Sequence, residues 1–109
     1  MANQVDTQVD LRELVVANQS FGPAEVAAIR QAIVDNHLHF IELRDAVGEL
    51  EDDPGLTPAA RTKLGVCLYL LGRFKAASET LAHADGGAMA LYYSARCALE
   101  MGDYQGAID

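Results

Sequence analysis

The hydrophobic positions between residues 23 and 51 recur with a seven-residue period. The two series, three positions apart, are Val26, Ile33, Phe40 and Val47, and Ile29, Asn36, Leu43 and Leu50. Such a heptad pattern is typical of a helix that packs along one apolar stripe. Because no glycine or proline interrupts it before Gly48, the pattern predicts one long helix from about Pro23 to Glu51. A break near Asp35 and Asn36, which would give two antiparallel helices, is the alternative.

Capping residues and turn residues divide the rest of the chain into shorter helices. Asp10 followed by Glu13 has the spacing of a capping box, which predicts a helix from about Leu11 to Gln19. Further helices are predicted from Pro58 to about Leu71, from about Phe74 to Ala84, from Ala88 to Met101, and from Tyr104 onward. Residues 1–9 are polar and are expected to form a disordered tail. The chain thus divides into an N-terminal helical segment, 10–56, and a C-terminal segment, 57–109.

A pattern of small, apolar and aromatic residues occurs twice in the C-terminal segment. The run from Leu64 to Ala77 returns at a constant offset as Ser94 to Ala107, with glycine matching glycine, cysteine matching cysteine and aromatic matching aromatic. The matched pairs are Gly72 with Gly102, Cys67 with Cys97, and Phe74 with Tyr104. Fixed periods of this order are typical of stacked helical repeats, which usually bind partners.

These residues resemble the tetratricopeptide repeat family over about residues 58–109. The first repeat carries Leu64-Gly65, Leu68, Gly72-Arg73-Phe74, Ala77, Leu81 and Ala84, and the second carries Leu91, Ala95, Ala98, Gly102-Asp103-Tyr104 and Ala107-Ile108. The resemblance implies an all-α fold: an antiparallel helix-hairpin superhelical array, preceded by a short helix and the long heptad helix. The period is shorter than that of the family, and the second repeat is truncated at Asp109. The segment 23–51 fits a repeat poorly, so it is either a degenerate repeat or a distinct helical cap.

The resemblance also implies a binding groove along the first helix of each repeat. The groove positions in this sequence are Thr62, Val66 and Tyr69 in the first repeat, and Tyr92, Arg96 and Leu99 in the second. One subtype of the family holds a peptide carboxylate with lysine and asparagine in the groove. Thr62 and Val66 stand at those places, which argues against that activity. Tyr69 and Tyr92 could instead pack against the preceding helix.

The charge of the chain narrows the class of partner. Acidic residues number 16 and basic residues 8, for a net charge of −8. Phosphate backbones and anionic lipids would be repelled, so we expect neither nucleic acid nor membrane as a partner. No secretory signal or membrane-spanning run is evident, which makes the cytoplasm the expected compartment. Cys67 and Cys97 are expected to be reduced and buried.

The sequence contains no motif typical of catalysis or of cofactor binding. His37 and His39 lie two residues apart, so on one helix they point in opposite directions and cannot share a metal ion unless the helix breaks there. We therefore expect no enzyme activity, no cofactor and no metal. The expected function is a non-catalytic module or adaptor that binds a protein or peptide in the groove. The alternative is self-assembly into a homodimer, through the incomplete last repeat or through the heptad seam, where Asn36, Phe40 and Leu43 would supply the interface.

Overall fold

The structure, a computed structural model, describes residues 10–17 and 21–102, and these form helices and turns without any strand. The helices are α1 (Glu13–Ala17, a short π-helical segment), α2 (Pro23–Asp35), α3 (Leu38–Glu51), α4 (Pro58–Leu70), α5 (Phe74–Ala82) and α6 (Ala88–Glu100). The all-α prediction is confirmed. The expected tail over 1–9, the end of the first helix at Gln19, and the truncated helix from Tyr104 lie outside the described residues.

The prediction of one continuous helix from Pro23 to Glu51 is wrong. Asn36 is extended, with φ −151° and ψ 113°, and it separates α2 from α3. Its side-chain Oδ1 accepts a hydrogen bond from the backbone N–H of Leu38 at 2.9 Å. Asparagine readily replaces helical hydrogen bonds with such local ones. The heptad pattern continues across the break because it reports which side faces the core, and both helices face the same core.

Helix starts and turns follow from a few local interactions. The Asp10 side chain accepts a hydrogen bond from the N–H of Glu13 at 3.1 Å, as the capping-box spacing predicts. The Thr57 hydroxyl caps α4 by accepting from the N–H of Ala60 at 3.1 Å. Gly72 and Gly102 end α4 and α6 with φ of 83° and 80°, a conformation that favours glycine.

Helix α4 lies at the centre of the described fold. It packs against α5 and α6 and also contacts α3 and α1. All of its residues from Thr62 to Tyr69 are buried. The closest approach is to α5, where a Cβ added at Gly65 would lie 2.5 Å from the Leu81 side chain. Small residues on α4 therefore set the spacing of the α4–α5 pair.

The core is one cluster that draws on all six helices. Its fully buried members include Leu11, Val15, Ile29, Leu43, Val47, Val66, Leu68, Ala77 and Cys97. The N-terminal helices are thus part of the same core as the repeat-like helices. Across residues 10–17 and 21–102, no helix combines the length and the apolar composition that a bilayer crossing requires.

Candidate functional site

A cleft with a volume of about 740 Å³ lies between α2, the N-terminal half of α4, and α6. Its apolar walls are formed by Pro23, Val26 and Ala27 on one side and by Met89 and Tyr92 on the other. Clefts of about 300–1,000 Å³ with mostly apolar walls and a few polar groups are the usual binding sites of proteins. This cleft is therefore the strongest candidate site in the described part of the chain.

Two tight turns fix the helices that form the cleft. The N–H of Gly22 donates to Glu25 Oε1 at 2.8 Å, which starts α2 at Pro23. Before α6, the N–H of Gly87 donates to Asp85 Oδ1 at 2.9 Å. The Gly87 contact, and after it the Thr62 hydroxyl, holds the pKa of the Asp85 carboxyl below its ordinary value. The Asp85 charge also lies at the N-terminal end of α6, where the helix dipole favours it.

A chain of aromatic rings supports the α6 wall. The Tyr92 ring meets that of Tyr93 edge-on, with centroids 5.0 Å apart. Tyr93 contacts Tyr69 at 5.2 Å, and Tyr69 contacts Phe74 at 5.4 Å. Tyr92 is 58% exposed, whereas Tyr93 and Tyr69 are buried. A rigid ring that is open to solvent and held from behind is well suited to contact a partner.

Two cationic side chains line the same cleft. Arg30 is exposed on α2, and Lys63 is buried on α4. Burial lowers the pKa of Lys63, because the ammonium loses hydration. Burial raises the pKa of the Tyr93 hydroxyl, and the nearby Arg30 charge opposes that rise. The cleft thus places positive charge beside aromatic and aliphatic surface in a chain of net charge −8.

No protein-family model, curated protein or solved structure matches this chain. The internal repeat nevertheless has a structural counterpart. Helices α4 and α6 start at matching positions of the two repeats, Pro58 and Ala88, and each is followed by a glycine of positive φ. What can be inferred about function therefore comes from the residues of the cleft and of the helices around it.

The structure separates the predicted groove residues into two groups. Thr62, Val66 and Tyr69 are buried, and Val66 is 0% exposed, so a groove contact by Val66 is excluded in this fold. The alternative for Tyr69 was packing against the preceding helix, but its ring contacts Phe74 of α5 and Tyr93 of α6, which follow it in the chain. Its hydroxyl accepts from Arg96 Nε at 3.3 Å and lies 3.4 Å from Glu100 Oε2.

The other predicted groove residues lie on the outer surface of α6. Tyr92 lines the cleft. Arg96 is held by Tyr69 and by Glu100 Oε2, 3.3 Å from its Nη2. Leu99 is 39% exposed and lies outside the cleft lining. Of the predicted groove residues, the structure therefore places Tyr92 and Thr62 in the lining of the cleft.

The residues predicted for an oligomer interface do not form one surface. Asn36 is exposed at the break between α2 and α3. Phe40 is half-buried and its ring stacks on His37, with centroids 6.1 Å apart. Leu43 is 0% exposed and belongs to the core. Leu43 is therefore not available to a second copy in this fold, because the chain's own helices cover it.

Sequence reasoning missed the α2 side of the cleft, including Val26, Ala27 and Arg30. The error follows from the continuous-helix prediction, which assigned Val26 to a heptad seam. A usable signal was present: Pro23 and Pro58 both occupy the first turn of a helix and follow a capping residue. Equating these two helix starts would have indicated that α2 and α4 can line one cleft, as they do.

Proposed function

We propose that this protein is a non-catalytic interaction module that binds a peptide segment of a partner protein in the cleft between α2, α4 and α6. The supporting observation is the cleft itself, with its exposed Tyr92 ring held from behind by Tyr93 and Tyr69. Burial of apolar side chains against Tyr92, Met89 and Val26 would supply the affinity.

We further propose that the cleft is the concave groove of a tetratricopeptide-like array. Its walls come from α2, α4 and α6, which alternate along the chain with α3 and α5. In such an array the alternate helices line the concave surface. On this proposal α2 and α3 form a degenerate first repeat, one of the two possibilities that the sequence left open. The close Gly65–Leu81 approach supports the same pairing for α4 and α5.

The cytoplasm is the proposed compartment. Cys67 and Cys97 are free and buried, which suits a reducing environment. Both thiols contribute as small apolar side chains in the core.

Site-specific photo-crosslinking tests the binding proposal. A photo-reactive residue replaces Ala27, which is exposed on the cleft wall. The full chain that carries it is irradiated in an extract of the source cells. We expect a discrete product of higher mass whose yield falls at least about fivefold when Tyr92→Ala is added, because the anchor ring is lost. The matched control places the same residue at Lys75, which is exposed on α5.

Identical products from positions 27 and 75, or a yield unaffected by Tyr92→Ala, would contradict the proposal. Mass spectrometry of the product distinguishes a partner protein from a second copy of the chain.

A second candidate function, self-assembly, is favoured by the exposed face of α6. Leu91, Ala95 and Leu99 are spaced at every fourth position on this face, and Leu91 is 66% exposed. Such a ridge, with a small residue at its centre, can pack against its own copy in an antiparallel pair. This surface replaces the heptad seam as the proposed interface, because Leu43 of the seam lies in the core.

Light scattering over a range of concentrations tests self-assembly. We expect Leu91→Glu to weaken dimerisation at least about tenfold, since it buries a charge at the interface. Leu38→Glu is the control, because Leu38 is similarly exposed, at 63%, but lies on α3. A monomeric mass at every concentration, or equal effects of both variants, would exclude the α6 interface.

A further inference from the structure

The charges of the cleft differ from those of the chain as a whole. The protein carries twice as many acidic as basic residues, yet Arg30 and Lys63 both line this one cleft. Three other arginines lie against carboxylates: Arg12 against Glu49 at 2.7 Å, Arg44 against Asp45 at 3.3 Å, and Arg96 against Glu100 at 3.3 Å. The lining of the cleft therefore holds two cations and one carboxylate, Asp85, in a chain whose net charge is −8.

The charged groups that line the cleft differ in how far a partner can reach them. Asp85 lies at the α6 N-terminus, where Gly87 donates to its carboxylate. Arg30 shares a side-chain hydrogen bond with the Tyr93 hydroxyl, and its guanidinium has further N–H groups that can bind a ligand. Lys63 is already engaged within the protein, so it adds positive potential rather than a direct contact. Arg30 is the cation that a partner can reach, because its side chain is exposed.

We infer that the cleft selects partner segments in which a glutamate or aspartate side chain stands beside an apolar side chain. This inference rests on the proposed function and names the ligand class of the same site. The apolar side chain lies against Tyr92, Met89 and Val26, and the carboxylate accepts hydrogen bonds from Arg30. Charge complementarity provides the preference, while the apolar contact provides most of the affinity.

A side-chain carboxylate fits the cleft better than a chain terminus does. Terminal carboxylates are commonly bound in a nest of backbone N–H groups. Both turns that line the cleft are already occupied in this respect, because Asp85 Oδ1 accepts the N–H of Gly87 and Glu25 Oε1 accepts the N–H of Gly22. The donor that a partner can reach is instead the long side chain of Arg30 on α2. Its guanidinium can bind an acidic side chain at different positions along an extended or helical segment.

Matched peptide probes test the inference by NMR titration of the full, isotope-labelled chain. The first probe is a short peptide of leucine, phenylalanine, glutamate and leucine, blocked at both ends. The second replaces glutamate by glutamine. The third keeps glutamine but leaves the terminal carboxylate free. Amide shifts of Ala27, Lys63 and Tyr92 report binding in the cleft, and a dissociation constant is obtained for each probe.

We expect the glutamate probe to bind about fivefold more tightly than the glutamine probe at low salt, a moderate ratio because the Arg30 pair is solvent-exposed. The ratio is expected to approach one at about 0.5 M sodium chloride, where screening is strong. Arg30→Gln is expected to abolish the preference, so that the glutamate and glutamine probes bind with the same dissociation constant. Arg73→Gln is the control, since it removes the same charge from an exposed position outside the cleft.

Each other outcome overturns the inference in a recognisable way. Equal binding of the glutamate and glutamine probes would show that the cleft binds apolar side chains without a preference for charge. Tighter binding of the third probe identifies a chain terminus as the ligand. If the preference for the glutamate probe survives Arg30→Gln, a residue other than Arg30 causes it. Absence of any shift at the cleft amides excludes this ligand class, while crosslinking from position 27 decides separately whether the cleft binds a partner at all.

Discussion

Replacing Leu43 by alanine lowers the free energy of unfolding by about 2–5 kcal/mol, because the substitution leaves a cavity around a fully buried side chain. Leu43 lies in the core cluster that joins α3 to the other helices. Domains of this size are commonly stable by only about 5–15 kcal/mol, so a large share of the stability would be lost. Urea denaturation followed by circular dichroism measures the change.

Leu38→Ala provides the matched control for Leu43→Ala. Leu38 belongs to the same helix but is 63% exposed, so its replacement is expected to change the free energy of unfolding by less than about 0.5 kcal/mol. If Leu43→Ala instead left stability unchanged and reduced a dimeric mass, Leu43 would be an interface residue, as the heptad pattern indicated.

The Cys67 thiol is expected to react with iodoacetamide about a thousandfold more slowly in the folded chain than in urea near pH 8. Burial raises the pKa of Cys67 from 9.0 to about 12, and the thiolate is the form that reacts. Each unit of pKa lowers the thiolate fraction about tenfold in this range. Peptide mapping by mass spectrometry follows Cys67 and Cys97 separately, without any substitution. Equal rates in folded and unfolded chains would show that Cys67 is accessible.

The raised pKa of Cys67 also predicts how stability depends on pH. A thiol that stays protonated in the folded chain contributes its stability in full below pH 9.0, and the contribution is lost as pH rises towards about 12. The urea concentration at the unfolding midpoint is therefore expected to decrease as the pH is raised from about 8 to about 10.5. Burial also raises the pKa of Tyr93, which acts in the same direction. Cys67→Ala should reduce the pH dependence, and an unchanged slope would assign it to Tyr93 and Cys97, whose pKa values burial also raises.

The repeat-like half of the fold was predictable from sequence because local rules decide it. Thr57 and Pro58 start α4, and Gly72 ends it with positive φ. Gly102 ends α6 in the same way, one repeat later. Capping and glycine conformations involve only a few neighbouring residues, so a single sequence is enough to read them.

The cleft was only partly predictable. Tyr92 was identified from its position in the second repeat, and the structure places it on the cleft wall. Val66 and Tyr69 of the first repeat are buried, whereas Arg96 and Leu99, at the matching positions of the second repeat, are at least partly exposed. Whether an equivalent position faces a groove or the core depends on which helices cover it. That coverage comes from residues far away along the chain, whose placement periodicity does not report.

The sequence by itself determined the all-α class, the positions of most helix ends, the internal repeat and the acidic charge. The tertiary structure alone decided the break at Asn36, the burial of Leu43 and the placement of Arg30 and Tyr92 in the lining of one cleft. The reason is physical: helix periodicity specifies which face of a helix is apolar. Only the packing of several helices specifies which apolar face is covered, and which charges from distant segments come together.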